Sequence, residues 1–450
     1  MSYLPHTDAD RAAMLASVGV KGIEDLFADV PARVRFPKLD LPGPLSELEV
    51  MQELTELAES NASAGQFACF LGAGAYNHFS PSIVNHTILR GEFLTGYTPY
   101  QPEVSQGTLQ TIYEYQSMIC ALTGMEVSNA SHYDGATSLA EAVIMAVSHF
   151  KDTRRKVVVS PAVHPQYRAV IRTYVQGMGL TVTGDEEPDT DIADLTKMLD
   201  GDTAIFIVQS PNFFGQIEDP AGLAHTVHSA GNDALLCVMC DPISLGILKP
   251  PGQYGADIVV GEGQSLGIPL SYGGPYLGFF ATRKSLVRQM AGRLVGEAHD
   301  AQGRRGFVLT LATREQHIKR ERATSNICTN SGLVAIAATV YLATMGKNGM
   351  RKVAELCYHK SHYAAQEIAK LAGYRVRTDK PFFKEFAVQC PIPVAEINAH
   401  LFDEHGIIGG YDLGQDYAHL DGHMLLAVTE MNTREEIDGL VAALGELSGD

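Results

Sequence analysis

No stretch of this sequence stays apolar for the roughly 20 residues that a membrane-spanning helix needs. The opening Met1-Ser2-Tyr3-Leu4-Pro5-His6 lacks the basic-then-apolar layout of a signal peptide. Basic residues are the minority, 34 Lys and Arg against 52 Asp and Glu, for a formal charge of −18. That balance removes the electrostatic footprint of a nucleic-acid or anionic-membrane binder. The acids are spread along the chain, so they read as a solvated surface and not as an acidic tail. Seven cysteines, an odd number scattered over 450 residues, make no disulfide framework, and a reducing, cytoplasmic setting is expected. The one close pair, Cys237 and Cys240, has no second pair to complete a four-ligand zinc site. It lies in the apolar run 234–241, which reads as a buried strand where cysteine serves as a small hydrophobe. No metal site is expected. Internal repeats, low-complexity segments, a Walker loop and a dinucleotide fingerprint are also missing.

What the chain does have is the composition of a large globular protein, 45% apolar and 19% charged. Its length predicts more than one domain. Residues 1–66 form an extended helical arm in this reading. Thr7-Asp8-Ala9-Asp10 is cap chemistry ahead of strong helix formers, prolines at 31, 37, 42 and 44 interrupt, and helical periodicity resumes over 45–57. From 67 to 345 the pattern changes to short apolar runs at 156–160, 204–209, 235–240, 258–260 and 277–281. Helical stretches such as 165–177 and 221–230 lie between them. Runs apolar on both faces and separated by helices predict a large, mainly parallel sheet covered on both sides. Residues 346–450 read as a small α+β domain, with a helix over 361–371 and strands near 385–388 and 424–428. A capping box at Thr433-Arg434-Glu435-Glu436 starts the last helix.

Four segments are candidates for chemistry. Small residues at Tyr133-Asp134-Gly135-Ala136-Thr137-Ser138 open a helix whose free N–H groups suit an anion, but the same residues serve as an ordinary cap, and alone that is the better account. A glycine-rich loop, Gly261-Glu262-Gly263-Gln264-Ser265-Leu266-Gly267-Ile268-Pro269, lets backbone approach a ligand closely. The basic run from Thr313 through Arg322 to Thr324, Ser325 and Asn326 suits either an anion or a solvated helix face. Finally, Tyr97-Thr98-Pro99-Tyr100-Gln101-Pro102 makes a rigid, aromatic-bearing segment fit for positioning a substrate or for plain packing.

Taken together these residues resemble a known family. The arm, the string Tyr97-Thr98-Pro99-Tyr100-Gln101, the strand Ala256-Asp257-Ile258-Val259-Val260 with its loop, and Ala323-Thr324-Ser325-Asn326-Ile327-Cys328-Thr329 are similar to the glycine cleavage P-protein. More closely they resemble its bacterial subunit 1, and the resemblance spans essentially the whole chain.

That resemblance implies the fold-type I architecture of pyridoxal-phosphate enzymes. It also implies decarboxylation of glycine, with the aminomethyl group passed to a lipoyl arm on the H-protein. Such chemistry needs the cofactor as an electron sink and a lysine to hold it as a Schiff base. The Ile268-Pro269 match places Gln264 at the lysine position, and no lysine occurs between Lys249 and Lys284. The cofactor is therefore expected covalently on a homologous, lysine-bearing partner subunit and not on this chain, in a two-plus-two heterotetramer. By the same mapping Asp241 stands where a carboxylate pairs with the pyridine nitrogen, and His164 where a residue stacks on the ring. Both are expected to be remnants. Thr324, Ser325 and Asn326 are candidates for reaching the partner's cofactor phosphate, and Tyr97 and Tyr100 for lining its glycine pocket. Two rival readings stand beside this one: a non-catalytic scaffold subunit of the same complex, and a self-sufficient pyridoxal-phosphate enzyme of other specificity, such as a cysteine desulfurase relative.

Overall fold

The computed structural model describes residues 5–448 except Asp189, Gly231, Thr324 and Thr378. The chain divides into two compact units, 1–62 and 63–450.

In the first unit, helix Asp8–Val18 begins at a capping box between Thr7 and Asp10, and helix Glu47–Glu59 at one between Ser46 and Glu49. The prolines confine the chain between them to short 3-10 turns, Ile23–Phe27 and Ala32–Val34. Arg35 ties these turns together by donating to the carbonyls of Ala28 and Val30. Leu48, Met51, Leu54 and Leu57 of the second helix are all more than half exposed.

The second unit is built on a seven-stranded sheet. Its spatial order is Val127–Ser128, Gly278–Thr282, Ile258–Glu262, Leu235–Met239, Thr203–Gln209, Lys156–Val159 and Thr181–Thr183. The last five run parallel, and Gly278–Thr282 is antiparallel to both of its neighbours. The sequence predicted a parallel sheet with two covered faces, and side-chain alternation shows both faces filled. Val158, Phe206, Val208, Leu236, Val238 and Val259 enter one core. Val157, Val159, Ile205, Ile207, Leu235 and Ile258 enter the other. Helix Gly135–His149 lies over the second face with Leu139, Val143 and Val147 fully buried. Cys237 and Cys240 belong to different cores and are both buried, which suits hydrophobes and not a chelating pair.

A hairpin, Leu294–His299 with Arg305–Thr310, follows the sheet. Helix Gly332–Ile368 then leaves helical geometry at Gly346 (φ 57°, ψ −172°). The sequence gives no sign of the hairpin pairing. Beyond the helix, a four-stranded antiparallel sheet carries strands Glu385–Gln389 and His423–Ala427 side by side. The last helix, Arg434–Glu446, opens with the expected box between Thr433 and Glu436. Among the described residues no helix is long and apolar enough to cross a membrane.

Candidate functional site

Parallel strands present their carboxyl ends, and the loops leaving them, along one edge of the sheet, where open α/β folds gather ligand sites. Here His164 follows the strand ending at Val159, Asp241 follows the one ending at Met239, and Gln264 follows the one ending at Glu262. These three loop residues border one cavity, together with Tyr76, Tyr167, Phe213, Glu262, Lys384 and Glu385. The cavity measures about 40 Å³, room for one or two water molecules.

Polar groups around the cavity are already satisfied by one another. Gln264, 1% exposed, donates from Nε2 to the carbonyls of Tyr76 (3.0 Å) and Ile268 (2.8 Å), and its Oε1 accepts from the Tyr76 N–H (2.9 Å). Asp241 accepts at Oδ1 from the Ile243 N–H, while Oδ2 lies 2.7 Å from Nζ of Lys384. Lys384 is 2% exposed. Its ammonium also sits 3.0 Å from Nε2 of His78 and 3.4 Å from the Tyr76 ring centroid, a desolvated cation–π contact.

The chain of partners continues inward. Burial and the neighbouring Lys384 lower the pKa of His78, so its ring is neutral, accepting at Nε2 and donating from Nδ1 to Glu430 (2.7 Å). Against the pull of burial, the hydrogen bonds from His78 and from the Phe79 N–H bring Glu430 down to about 2.

His164 is buried, and burial takes it down to about 4. Its Nδ1 accepts from the Gln166 N–H and its Nε2 donates to the Ala73 carbonyl (2.8 Å). The ring is stacked on Tyr167, 4.5 Å between centroids at 19°.

Two carboxyls are held in the opposite sense. Glu262 accepts at Oε2 from Gly135 N–H (2.9 Å) and at Oε1 from Gln264 N–H (2.9 Å) and Leu277 N–H (3.1 Å). Burial nevertheless pushes it up to about 8. A Cβ at position 135 would lie 2.9 Å from the Glu262 nitrogen and 3.0 Å from the Tyr167 hydroxyl, so only glycine lets the helix start come this close. Glu385 accepts from the Tyr76 hydroxyl and the Ala73 N–H, both at 2.7 Å, and burial raises it to about 7.

The remaining sequence candidates lie apart from this cavity. Tyr97 is 79% exposed. Tyr100 is half exposed; its hydroxyl accepts from Nη2 of the buried Arg293 (2.9 Å), and its ring meets His317 edge-on. Ser325 donates to Oε1 of Glu141 (2.6 Å), whose carboxyl burial pushes up to about 7. Asn326 is exposed, and Thr324 lies outside the described residues.

Sequence reasoning missed Tyr76, Lys384, Glu385 and the part that Glu262 plays. A signal existed in Phe382-Phe383-Lys384-Glu385-Phe386, where two charges interrupt an apolar strand. Among the described residues, two clusters bring three metal-ligating side chains together, buried His78, Cys357 and Glu430 and surface His400, His405 and Glu446. In the first, His78 and Glu430 are already engaged by Lys384, Phe79 and each other.

Comparison with known proteins gives a consistent result. The family model of the glycine cleavage system P-protein matches residues 1–444. A probable glycine dehydrogenase (decarboxylating) subunit 1 from Thermomicrobium roseum is 57% identical, covering 99% of each chain. Its counterpart from Desulforamulus reducens is 52% identical over the full length of both. Among solved structures, an inhibitor-bound glycine decarboxylase (P-protein) of the glycine cleavage system superposes with a TM-score of 0.90. It is 44% identical and covers 99% of this chain and 100% of its own. A NifS-like protein, at TM-score 0.63 and 13% identity, covers 85% of this chain and 99% of its own and shares the fold alone.

Proposed function

Because the chain belongs to the glycine cleavage system P-protein family and has the fold-type I architecture of pyridoxal-phosphate enzymes, we propose that it is the subunit of a glycine-decarboxylating enzyme that works without a cofactor of its own. A homologous, lysine-bearing subunit carries pyridoxal phosphate covalently, and the two assemble as a two-plus-two heterotetramer in the cytoplasm. Together they release CO₂ from glycine and pass the aminomethyl group to the lipoylated H-protein.

The observation that carries this reading is the state of Gln264. It takes the loop position of a cofactor lysine, cannot form the covalent bond, and spends its amide on the backbone of Tyr76 and Ile268. Asp241 and His164 are likewise engaged, by Lys384 and by Tyr167, so they serve the fold. The residues around this cavity do not fit pyridoxal phosphate, and no step of the reaction runs through them.

The cofactor supplies the electron sink for the decarboxylation, and this chain's part is to complete the partner's site. Tyr97 and Tyr100 stand on an exposed segment fit to line the glycine pocket and exclude water from it. Thr324 and Asn326 carry hydroxyl and amide donors of the chemistry that the partner's cofactor phosphate needs, and Ser325 would join them by giving up its bond to Glu141. Exposed leucines on helix Glu47–Glu59 give the arm an apolar surface to bury against another subunit. A purely structural scaffold would leave turnover unchanged when Tyr97 or Tyr100 is replaced in a correctly assembled complex.

The direct test is CO₂ release from carboxyl-labelled glycine, with H-protein present, by this chain alone, by its lysine-bearing homologue alone and by the mixture. Activity is expected from the mixture. Decarboxylation by this chain alone at the rate of the pair overturns the reading.

A further inference from the structure

Pyridoxal-phosphate sites combine an anion cradle at a helix N-terminus, a carboxylate for the ring nitrogen and a lysine for the aldehyde. Each of these places exists around the cavity of this chain, and each holds a side chain of the chain itself. Helix Gly135–His149 aims its first N–H at the Glu262 carboxyl, where a phosphate oxygen would otherwise accept. The neighbouring Thr137 N–H is taken by Asp134. Asp241 faces the Lys384 ammonium, a cation where a protonated ring nitrogen would otherwise stand. Gln264 has every side-chain polar atom bound to backbone.

The geometry points to a self-filled pocket: the Glu262 carboxyl oxygens take the place of the phosphate oxygens and Lys384 that of the ring cation, so restoring a lysine at position 264 does not by itself let pyridoxal phosphate enter. This inference rests on the reading that the chain holds no cofactor, and it adds why. Loss of the lysine is only one of three closures.

The fillers also account for the remaining volume. Glu262 and Lys384 both border the space of about 40 Å³ that remains beside Gln264. Lys384, the lysine that borders this cavity, is no substitute for the missing one. Its nitrogen is pinned among Asp241, His78 and the Tyr76 ring, and an amine held as an ammonium against a carboxylate has no lone pair with which to attack an aldehyde.

Four full-length proteins test the inference: wild type, Gln264→Lys, Gln264→Lys/Lys384→Met and Gln264→Lys/Lys384→Met/Glu262→Ser. Each is incubated with pyridoxal phosphate, reduced with borohydride, and examined by intact mass and peptide mapping. No pocket adduct is expected in wild type or Gln264→Lys. The triple variant is expected to carry an adduct at position 264, at least tenfold more than Gln264→Lys. Labelling of Gln264→Lys to the level of the triple variant overturns the inference. So does a triple variant with native circular dichroism and no adduct, because its pocket would remain shut with both fillers gone. An adduct on Lys384 in wild type overturns instead the underlying reading that the chain carries no cofactor.

Glu262→Ser alone gives a second measurement that does not depend on the triple variant folding. Millimolar inorganic phosphate is expected to raise its Tm and to leave that of wild type unmoved. Equal stabilisation of the two overturns the proposed role of Glu262.

Discussion

Replacing Lys384 with methionine removes a buried charge without removing much volume, and its consequence can be worked from the contacts. The substitution leaves Asp241, largely buried, facing an apolar side chain where an ammonium stood 2.7 Å away, and it deletes the cation over Tyr76. Breaking a buried pair from one side costs about 3–5 kcal/mol, because the surviving charge is left uncompensated. Unfolding entropy of about 2.1 cal/mol/K per residue amounts to roughly 0.9 kcal/mol/K over 450 residues. A loss of about 4 kcal/mol therefore lowers Tm by roughly 4 °C. Asp241→Asn in the same chain should recover part of that loss, since neither partner is then a stranded ion. The sequence has no tryptophan, so the assay is calorimetry or far-ultraviolet circular dichroism of wild type, both single variants and the double. A Lys384→Met protein melting within 1 °C of wild type, or a double variant whose loss equals the sum of the singles, would refute the coupling between these two residues.

Other outcomes follow from separate parts of the molecule. Glu262 and Glu385 are raised by burial to about 8 and about 7, so their contribution to folding is full below their unfolded value near 4.5 and is lost as pH rises through 7 and 8. Above pH 7, where the buried His78 and His164 are neutral in both states, chemical denaturation up to pH 9 should show stability falling, with a shallower fall in Glu385→Gln. An equal slope in the two proteins would contradict the assignment. Leu236→Ala, at a fully buried position in the central sheet, is expected to cost about 2–5 kcal/mol by urea denaturation with an unchanged m value. Thr433→Ala, which deletes the cap of the last helix, should cost about 1 kcal/mol. Tyr97→Ala, made in the assembled complex, is expected to lower glycine turnover at least tenfold with Tm unchanged, and full turnover would favour a scaffold role.

How much of this could be read from the sequence depended on whether the determining contact was local. The parallel strands were legible because residues such as Ile205-Phe206-Ile207-Val208 are apolar on both faces, a pattern set by helices covering both sides of the sheet. The last helix was legible because Thr433 and Glu436 complete a cap within one turn. The loop that carries Gln264 was marked by its glycines. The fillers could not be read, because Lys384 meets Asp241 only when the strand after Phe383 folds back beside the carboxyl edge of the sheet. Glu262 looked like a loop residue until Gly135 brought a helix start against it. His164 was expected where a ring would stack, and it does stack, but on Tyr167. Pairing of Ala68–Cys69 with Ile407–Ile408, from opposite ends of the second unit, left no local mark either.

The central claim is that this chain works in a pyridoxal-phosphate enzyme without holding the cofactor, and the measurement that meets it most directly is the location of borohydride-fixed cofactor in the reconstituted complex. Purified together with its lysine-bearing homologue, loaded with pyridoxal phosphate and reduced, the complex should yield a single labelled lysine on the partner and none among the peptides of this chain. A stoichiometric label on any lysine bordering the cavity of this chain would contradict the account and make it a complete enzyme in its own right.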